Sequence, residues 1–423
     1  MAPDPNTADA GPVAPSTPSG TMSRPCCILA FSGGLDTSLC VVWLREELGY
    51  DVVTVTVDTG GFDDEELERI AARSREAGAI EHLLVDGLDE LWEDWIRHIV
   101  AANYMKGGLY PLCVGVERVV QARHLVRIAR ERGAAAVAHG STGAGNDQIR
   151  FDVVLRTLAP DLTVHAPIRQ LGWGRAEEAE YLAQHGMHVD ASTRRYSINA
   201  GLWGVTIGGG ETRTSHEIVP DHVYDTTTPP SDAPDGGETL TLGFHTGRLR
   251  TVNGQEDHPV ALLRTLGEHA AAHGIGRGIH LGDTVLGIKG RIAFEAPAAH
   301  VLIHAHRELE KLVLTKWQLF VKEQVAQFYG LFLHEGRYLD PAMRDIEAFL
   351  DSSQQRVTGD VTVHLEQGRL LVRALRSPHS LMDATRAAYG EESGLWDGRD
   401  AEGFAKILSI QSALAHRAGA TEE

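Results

Sequence analysis

The chain has 423 residues, 43% apolar and 23% charged, the profile of a soluble globular protein with room for two or three domains. Its net charge is −19, from 39 basic and 58 acidic residues. That balance speaks against broad binding to nucleic acid or an anionic membrane, whose phosphates need a basic surface, but leaves room for a local basic pocket.

Residues 1–25 hold six of the 17 prolines, set among Ala, Ser, Thr, Asp and Gly. Such a stretch buries too little apolar surface to offset chain entropy, so a disordered tail is expected over 1–24. It lacks a basic residue before Arg24 and any apolar core, so it does not read as a signal peptide. No later apolar run reads as a membrane span. Four cysteines without a Cys-x-x-Cys pair fit a reducing cytoplasm.

"CCILAF" (26–31) reads as a strand, with Cys26 and Cys27 as buried small hydrophobes rather than a redox pair. Helical spacing over 36–50 puts Val41, Leu44 and Leu48 on one face. A β-branched strand (51–60), an acid-led helix (63–79) and a strand (80–87) follow. Then come a helix (115–134), a strand (135–140), a glycine turn running into a helix (141–160) and a strand (163–168). This alternation is that of an α/β fold with a doubly wound parallel sheet, closing near residue 188. The second half reads as α+β. Residues 238–254 and 359–376 form hairpins, 226–238 is a loop, 308–333 is the longest helix and 401–420 an amphipathic helix. The expected units are therefore 25–188, 189–400 and a C-terminal helical segment, 401–423.

The turn "AFSGGLDTS" (30–38) sits between a strand and a helix, where backbone N–H groups and the helix dipole favour an anion. Ser32, Thr37 and Ser38 add hydroxyls. The Gly-Lys-Ser/Thr ending of the common phosphate loop is missing, so γ-phosphoryl transfer is not the expected chemistry. A turn of this kind suits holding pyrophosphate as it leaves, hence AMP transfer to a substrate oxygen.

At these residues the chain resembles the N-type ATP pyrophosphatases, which share an adenine nucleotide alpha-hydrolase-like fold, and more narrowly the argininosuccinate synthetase family. "HGSTGAGNDQIRFD" (139–152) is similar to that family's second signature. "YSINAGLWG" (196–204), "GIGRG" (274–278), "LGIKGR" (286–291) and "HVLIHAHRELEKLVL" (300–314) follow in its order, as does "RVTGDVTVHLEQG" (356–368). The resemblance covers about residues 26–410. It implies a nucleotide-binding unit followed by a synthetase and oligomerisation unit, and an AMP-forming ligase. ATP, with Mg2+, would adenylate an acceptor. The L-aspartate amine would then displace AMP.

The resemblance places ATP at Ala30, Phe31, Ser32, Gly33, Gly34, Leu35, Asp36, Thr37 and Ser38, with Val57 and Gly140. It places aspartate at Thr142, Asn146, Asp147 and Arg118, and the acceptor at Tyr110, Asn146, Arg150, Ser197 and Thr206. Asp36, Asp147 and Arg150 are the expected catalytic residues. It further implies a cytoplasmic homotetramer and a downstream lyase that releases fumarate. Arg150 suits a carboxylate and Asp147 an ammonium on chemical grounds alone.

Departures from the family pattern gather on the acceptor. Its Gly-Thr-Ser is Cys113-Val114-Gly115, its pocket glutamate aligns with Gly282 beside Asp283, and its pocket tyrosine is Phe294. Its Ser-x-Asp-x-Asn run is Ser197-Ile198-Asn199-Ala200-Gly201, and a signature lysine is Ala144. An acceptor other than citrulline is therefore expected, with a true argininosuccinate synthetase as the alternative. A sulfurtransferase using Cys113 and a non-catalytic assembly protein are the readings from other classes. His300, His304 and His306 are read as core or hydrogen-bonding residues rather than metal ligands, with His304 and His306 on one strand face.

Overall fold

Cys26–Ala30 (β1) and Asp51–Asp58 (β2) are buried along nearly their whole length, as strands covered on both faces must be. They pair in parallel with Glu81–Asp86 (β3), Ala136–Ala138 (β4) and Thr163–His165 (β5), in the order β3-β2-β1-β4-β5. One face packs Ile28, Val53 and Val55 against Val119 and Leu125 of the helix Glu117–Arg132. The other packs Cys27, Leu29 and Val52 against Leu39 and Val42 of the helix Leu35–Glu46, with Leu182 behind. The computed structural model describes residues 24–188, 195–384 and 395–419. The tail expected before Arg24 lies outside the described residues.

Two further sheets follow. Tyr196–Gly201 (β6) and Gly204–Gly209 (β7) form a hairpin. Glu238–His245 (β8), Arg248–Val252 (β9) and Gln255–Glu256 (β10) follow it. Arg277–Asp283 (β11) and Lys289–Glu295 (β12) form another hairpin, as do Gly359–Glu366 (β13) and Arg369–Arg376 (β14). The orders are β10-β9-β8-β13-β14, which joins the two hairpins anticipated from sequence, and β11-β12-β7-β6.

The smaller sheet stands over the carboxyl ends of β1, β2 and β4. Leu202 N–H donates to Thr59 O at 2.7 Å. Gly61 lies so close to Ala200 that a Cβ there would sit 2.1 Å from its carbonyl oxygen. In open α/β sheets the ligand crevice lies at this end, where the strand order reverses, here between β1 and β4.

Three expectations need correcting. The helix predicted over 36–50 ends at Glu46, and Leu48 lies beyond it, exposed, where Gly49 at φ +69° turns the chain into β2. The long helix predicted over 308–333 is two helices, Pro297–Val313 and Lys316–Glu335. Leu314 is extended, and Thr315 with Gln318 forms a reciprocal cap that starts the second. His300, His304 and His306 belong to the first of these helices, not to a strand, because Pro297 opens a helical apolar face there. His300 and His304 stack one turn apart, and His306 is buried between Asn103 and Gln354. The C-terminal helix Gly398–Gly419 is exposed throughout, Phe404, Ile407, Leu408 and Ile410 included.

Candidate active site

A cleft of about 1110 Å³ opens between the parallel sheet and the β11-β12-β7-β6 sheet. Its inner end is the turn after β1. Gly33 adopts φ +70°, and a Cβ there would sit 2.9 Å from Ile70 Cγ1. Arg73 donates to Gly33 O at 2.7 Å and so pins the turn. Gly34 precedes the helix Leu35–Glu46 without a side-chain cap, which leaves that helix's first N–H groups available to an anion. Ser32 Oγ and Thr37 Oγ1 are 3.4 Å apart across the turn. The turn after β4 abuts it at Gly140, where a Cβ would sit 2.9 Å from Thr37 Cγ2.

Ala30, Phe31, Ser32, Gly34, Leu35, Asp36, Thr37, Val57 and Gly140 all line this end, with Arg73 and Arg175. Gly33 and Ser38 do not. Gly33 shapes the turn from behind, and Ser38 Oγ is buried in the helix with no hydrogen-bond partner among the described residues. Asp36 lies against Glu178, whose carboxyl is pushed up to about 7 by burial and by the Asp36 charge.

The middle of the cleft centres on Asp147. Its Oδ2 accepts from Arg118 Nε and its Oδ1 from Arg150 Nη1, each at 2.9 Å. Burial raises this carboxyl, but the two guanidiniums outweigh it and hold it below the usual range. Asp147 is thus occupied by two cations rather than free for an ammonium. Arg150 is no surface charge. It is 6% exposed, and Nε and Nη2 both donate to His334 O at 3.1 Å, at the carbonyl-rich end of the helix Lys316–Glu335. Gly336, at φ +76°, lets this helix end approach, since a Cβ there would sit 3.0 Å from Arg150 Cα. Asp152, on the same helix, is taken by His139 and Arg169. Asn146 Oδ1 accepts from Val285 N–H at 2.8 Å, tying the glycine turn to the β11–β12 connection.

At the outer end Tyr110 stacks on His280, with ring centroids 5.2 Å apart, and leans on Phe294. Thr142, Ser197 and Thr206 also line the cleft. Lys106 Nζ donates to Asp283 O at 2.9 Å and to His334 Nε2 at 2.7 Å. Burial and the neighbouring Arg150 bring the lysine down to about 8, and burial, Arg150 and Lys106 bring His334 down to about 4. Glu117 is buried under Arg118 and Gly201, and burial pushes it up to about 8. Asp283, beside Gly282 where the family glutamate is expected, lines the cleft. Strand alternation turns it away from Gly282, and its carboxylate pairs with Lys289 at 2.7 Å in solvent. Cys113 is fully buried, burial pushes its thiol up, and it does not line the cleft. That environment opposes the thiolate a sulfur carrier needs.

Sequence reasoning missed Lys106, Glu117, His280 and His334, along with Arg73 and Arg175. None lies in the quoted motifs that signalled ligand binding. The nearest signal was local: Lys106 precedes Gly107 and Gly108 on the way to Tyr110, and His334 precedes a helix stop at Gly336. Among the described residues, no group of three or more His, Cys, Asp or Glu side chains converges as a metal site.

A switch-point crevice with an uncapped helix start, a lysine-free glycine turn and a paired aspartate beside it fits the class that the family match establishes, an ATP-dependent, AMP-forming carbon–nitrogen ligase. Residues 26–188 match the family described as the arginosuccinate synthase N-terminal HUP domain, and 196–415 its C-terminal domain. The chain belongs to the argininosuccinate synthase family. It is 42% identical over 397 residues to an argininosuccinate synthase of Xanthomonas campestris pv. campestris, spanning 93% of this chain and 98% of that one. It is 37% identical to that of Pyrococcus furiosus over 92% and 94% of the two chains. With that of Methanocaldococcus jannaschii the identity is 38%, over 92% and 97%.

Proposed function

We propose that the chain joins the amine of L-aspartate to an activated ureido or carboxyl carbon of a small acceptor. The acceptor oxygen attacks the α-phosphorus of ATP and pyrophosphate leaves. The aspartate nitrogen then attacks the activated carbon, loses a proton, and AMP departs with the former acceptor oxygen. The relatives' name, argininosuccinate synthase, favours citrulline as that acceptor over the different one expected from the pocket departures.

The observation that carries the reading is the adjacency of the uncapped glycine turn and the Arg118–Asp147–Arg150 cluster in one cleft. Ala30 to Thr37, Val57 and Gly140 hold ATP, with Arg73 and Arg175 facing its phosphates. Thr142, Asn146 and Arg118 hold aspartate, and Asp147 orders the two arginines. Tyr110, Arg150, Ser197 and Thr206 contact the acceptor. A hard divalent cation binds through nucleotide phosphates and one or two carboxylates, and Asp36 at the turn, backed by Glu178, is a donor set of that kind. Mg2+ held there would neutralise phosphate charge. We place the protein in the cytoplasm as a homotetramer, its product passing to a lyase that releases fumarate.

The test is incubation with ATP, Mg2+, aspartate and citrulline, with AMP, pyrophosphate and the aspartyl adduct measured together. One AMP per adduct is the expected result. ADP as the product would overturn the mechanism.

A further inference from the structure

Under the ligase reading the turn 140–146 meets two ligands, ATP at Gly140 and aspartate at Thr142 and Asn146. Residues 142–145 are exposed and belong to no helix or strand. Val285 N–H ties the far end of the turn through Asn146. The rest of its hold comes from side chains packed behind it.

Arg169, in the helix Pro167–Leu171 after β5, sends two arms to the turn. In the first, Nη1 donates to Gln148 Oε1 at 3.1 Å, and Gln148 Nε2 donates in turn to Gly143 O. In the second, Nη2 donates to both oxygens of Asp152, at 3.1 and 3.4 Å. Asp152 Oδ1 accepts from His139 Nε2 at 3.0 Å, and His139 Nδ1 accepts from Ser141 N–H at 3.2 Å. The two arms thus end on a carbonyl and an N–H of the same turn. The stem of Arg169 runs close behind it, since a Cβ at Gly143 would sit 3.7 Å from Arg169 Cγ.

Every role in these arms is forced. A guanidinium and a backbone N–H only donate, and a carbonyl only accepts. The Gln148 amide must therefore turn its oxygen to Arg169, and the His139 ring must carry its proton on Nε2, facing Asp152. Gln148 and His139 are buried, and His139 stacks on Phe151 with ring centroids 5.1 Å apart. Burial raises the Asp152 carboxyl, but its bonds from His139 and Arg169 outweigh this and hold it below the usual range. Arg156, exposed and 3.5 Å from Asp152, adds little. None of Arg169, Gln148 and Asp152 lines the cleft, and both ring nitrogens of His139 are used. These side chains can act on a ligand only through the turn.

We infer that Arg169 is a positioning residue for the ligase: through Gln148, and through Asp152 and His139, it holds the turn 140–146 on the course that meets aspartate and ATP. This inference rests on the ligase reading above and adds a residue that touches neither ligand.

The test is steady-state kinetics of the full-length enzyme with ATP, Mg2+, aspartate and citrulline, each varied in turn. Arg169→Met should raise the KM for aspartate about tenfold and that for ATP about threefold, with kcat and the KM for citrulline within about twofold of wild type. A merely structural role would lower the active fraction, and so kcat, and leave each KM alone. Gln148→Leu and His139→Leu remove one arm each, and each should raise the KM for aspartate about threefold. Arg169→Met should do less in the Gln148→Leu background than in wild type, because the two share an arm. Full additivity, or an equal rise in the KM for citrulline, would overturn the inference. So would an aspartate KM within about twofold of wild type in Arg169→Met or, should that variant not fold, in both single-arm variants. The same variants are titrated by calorimetry with aspartate and a non-hydrolysable ATP analogue. Failure of the ligase reading looks different: the wild type then yields no AMP from ATP, aspartate and citrulline, while the order of the variants in the titration still decides the inference.

Discussion

At the proposed nucleotide end of the cleft, the turn after β1 offers backbone N–H groups whose direction its glycines set, with the Gly140 turn, Arg73 and Arg175 around it. At the proposed acceptor end, side chains from four separate stretches converge: Lys106 and Tyr110 of one turn, Arg150, His280 and the helix end at His334. The first construction tolerates little change, because a Cβ at Gly33 or Gly140 meets a neighbour at 2.9 Å. The second can change one residue at a time. A family can therefore keep its chemistry fixed at one end and alter what it accepts at the other.

The comparison breaks if changes at one end spread to the other. The largest effect is expected at Arg150. Arg150→Met leaves Asp147 with one cation, and removing one partner of a buried pair costs about 3–5 kcal/mol. Acceptor kcat/KM should fall about a thousandfold, while the KM for ATP stays within about threefold. An equal loss in both would mean that the ends are not separable.

Asp36→Asn tests the inner end. It should lower kcat about a hundredfold with the melting temperature little changed, because Asp36 borders the cleft rather than the core. Wild-type turnover would remove Asp36 from the chemistry.

A smaller effect should follow pH. Lys106 faces Arg150, His334, His280, Lys289, Asp283 and Glu335. Its charge is lost as pH rises through about 8. His334, held near 4, stays neutral throughout that window. Acceptor kcat/KM should therefore be level below pH 8 and fall about tenfold above it, and Lys106→Arg should abolish that fall. A profile unchanged in that variant would exclude Lys106 as its source.

The smallest effect is expected at Cys113. Cys113→Ala should cost about 1 kcal/mol of stability and change kcat less than about twofold. Loss of turnover in a well-folded variant would revive sulfur transfer.

Much of the parallel sheet was legible, since buried parallel strands are continuous apolar runs and the helices between them carry plain amphipathic spacing. The β6–β7 and β11–β12 hairpins were not. In β6 Tyr196, Ile198 and Ala200 do alternate with Ser197 and Asn199, but the run is six residues long and Ser197 to Ala200 are all exposed, so the alternation does not mark a buried face. The break at Leu314 was hidden because apolar residues continue through it, and only Thr315 with Gln318 betrays the cap. The glycine turn, Arg118, Asn146, Asp147 and Arg150 could be named in advance because they lie within or beside recognisable motifs. Lys106 and His280 could not, because no motif marks them and only the fold brings them beside Tyr110, Arg150 and His334.

Arg150 is anchored on the carbonyl of His334, and Lys106 on that of Asp283. A carbonyl belongs to every residue type, so these anchors are silent in the genetic text. Codon 283 can drift without loosening the oxygen that Lys106 grips, provided the strand end keeps its course, whereas at 334 the imidazole also touches Lys106 and Arg150 and only part of the hold lies in the backbone. Gly336 is different. Its φ of +76° and its contact with Arg150 bind its identity to the path of the chain. Mutational scanning should therefore find position 283 tolerant, position 334 partly so, and the strongest constraint on the glycine that lets the backbone deliver the contact.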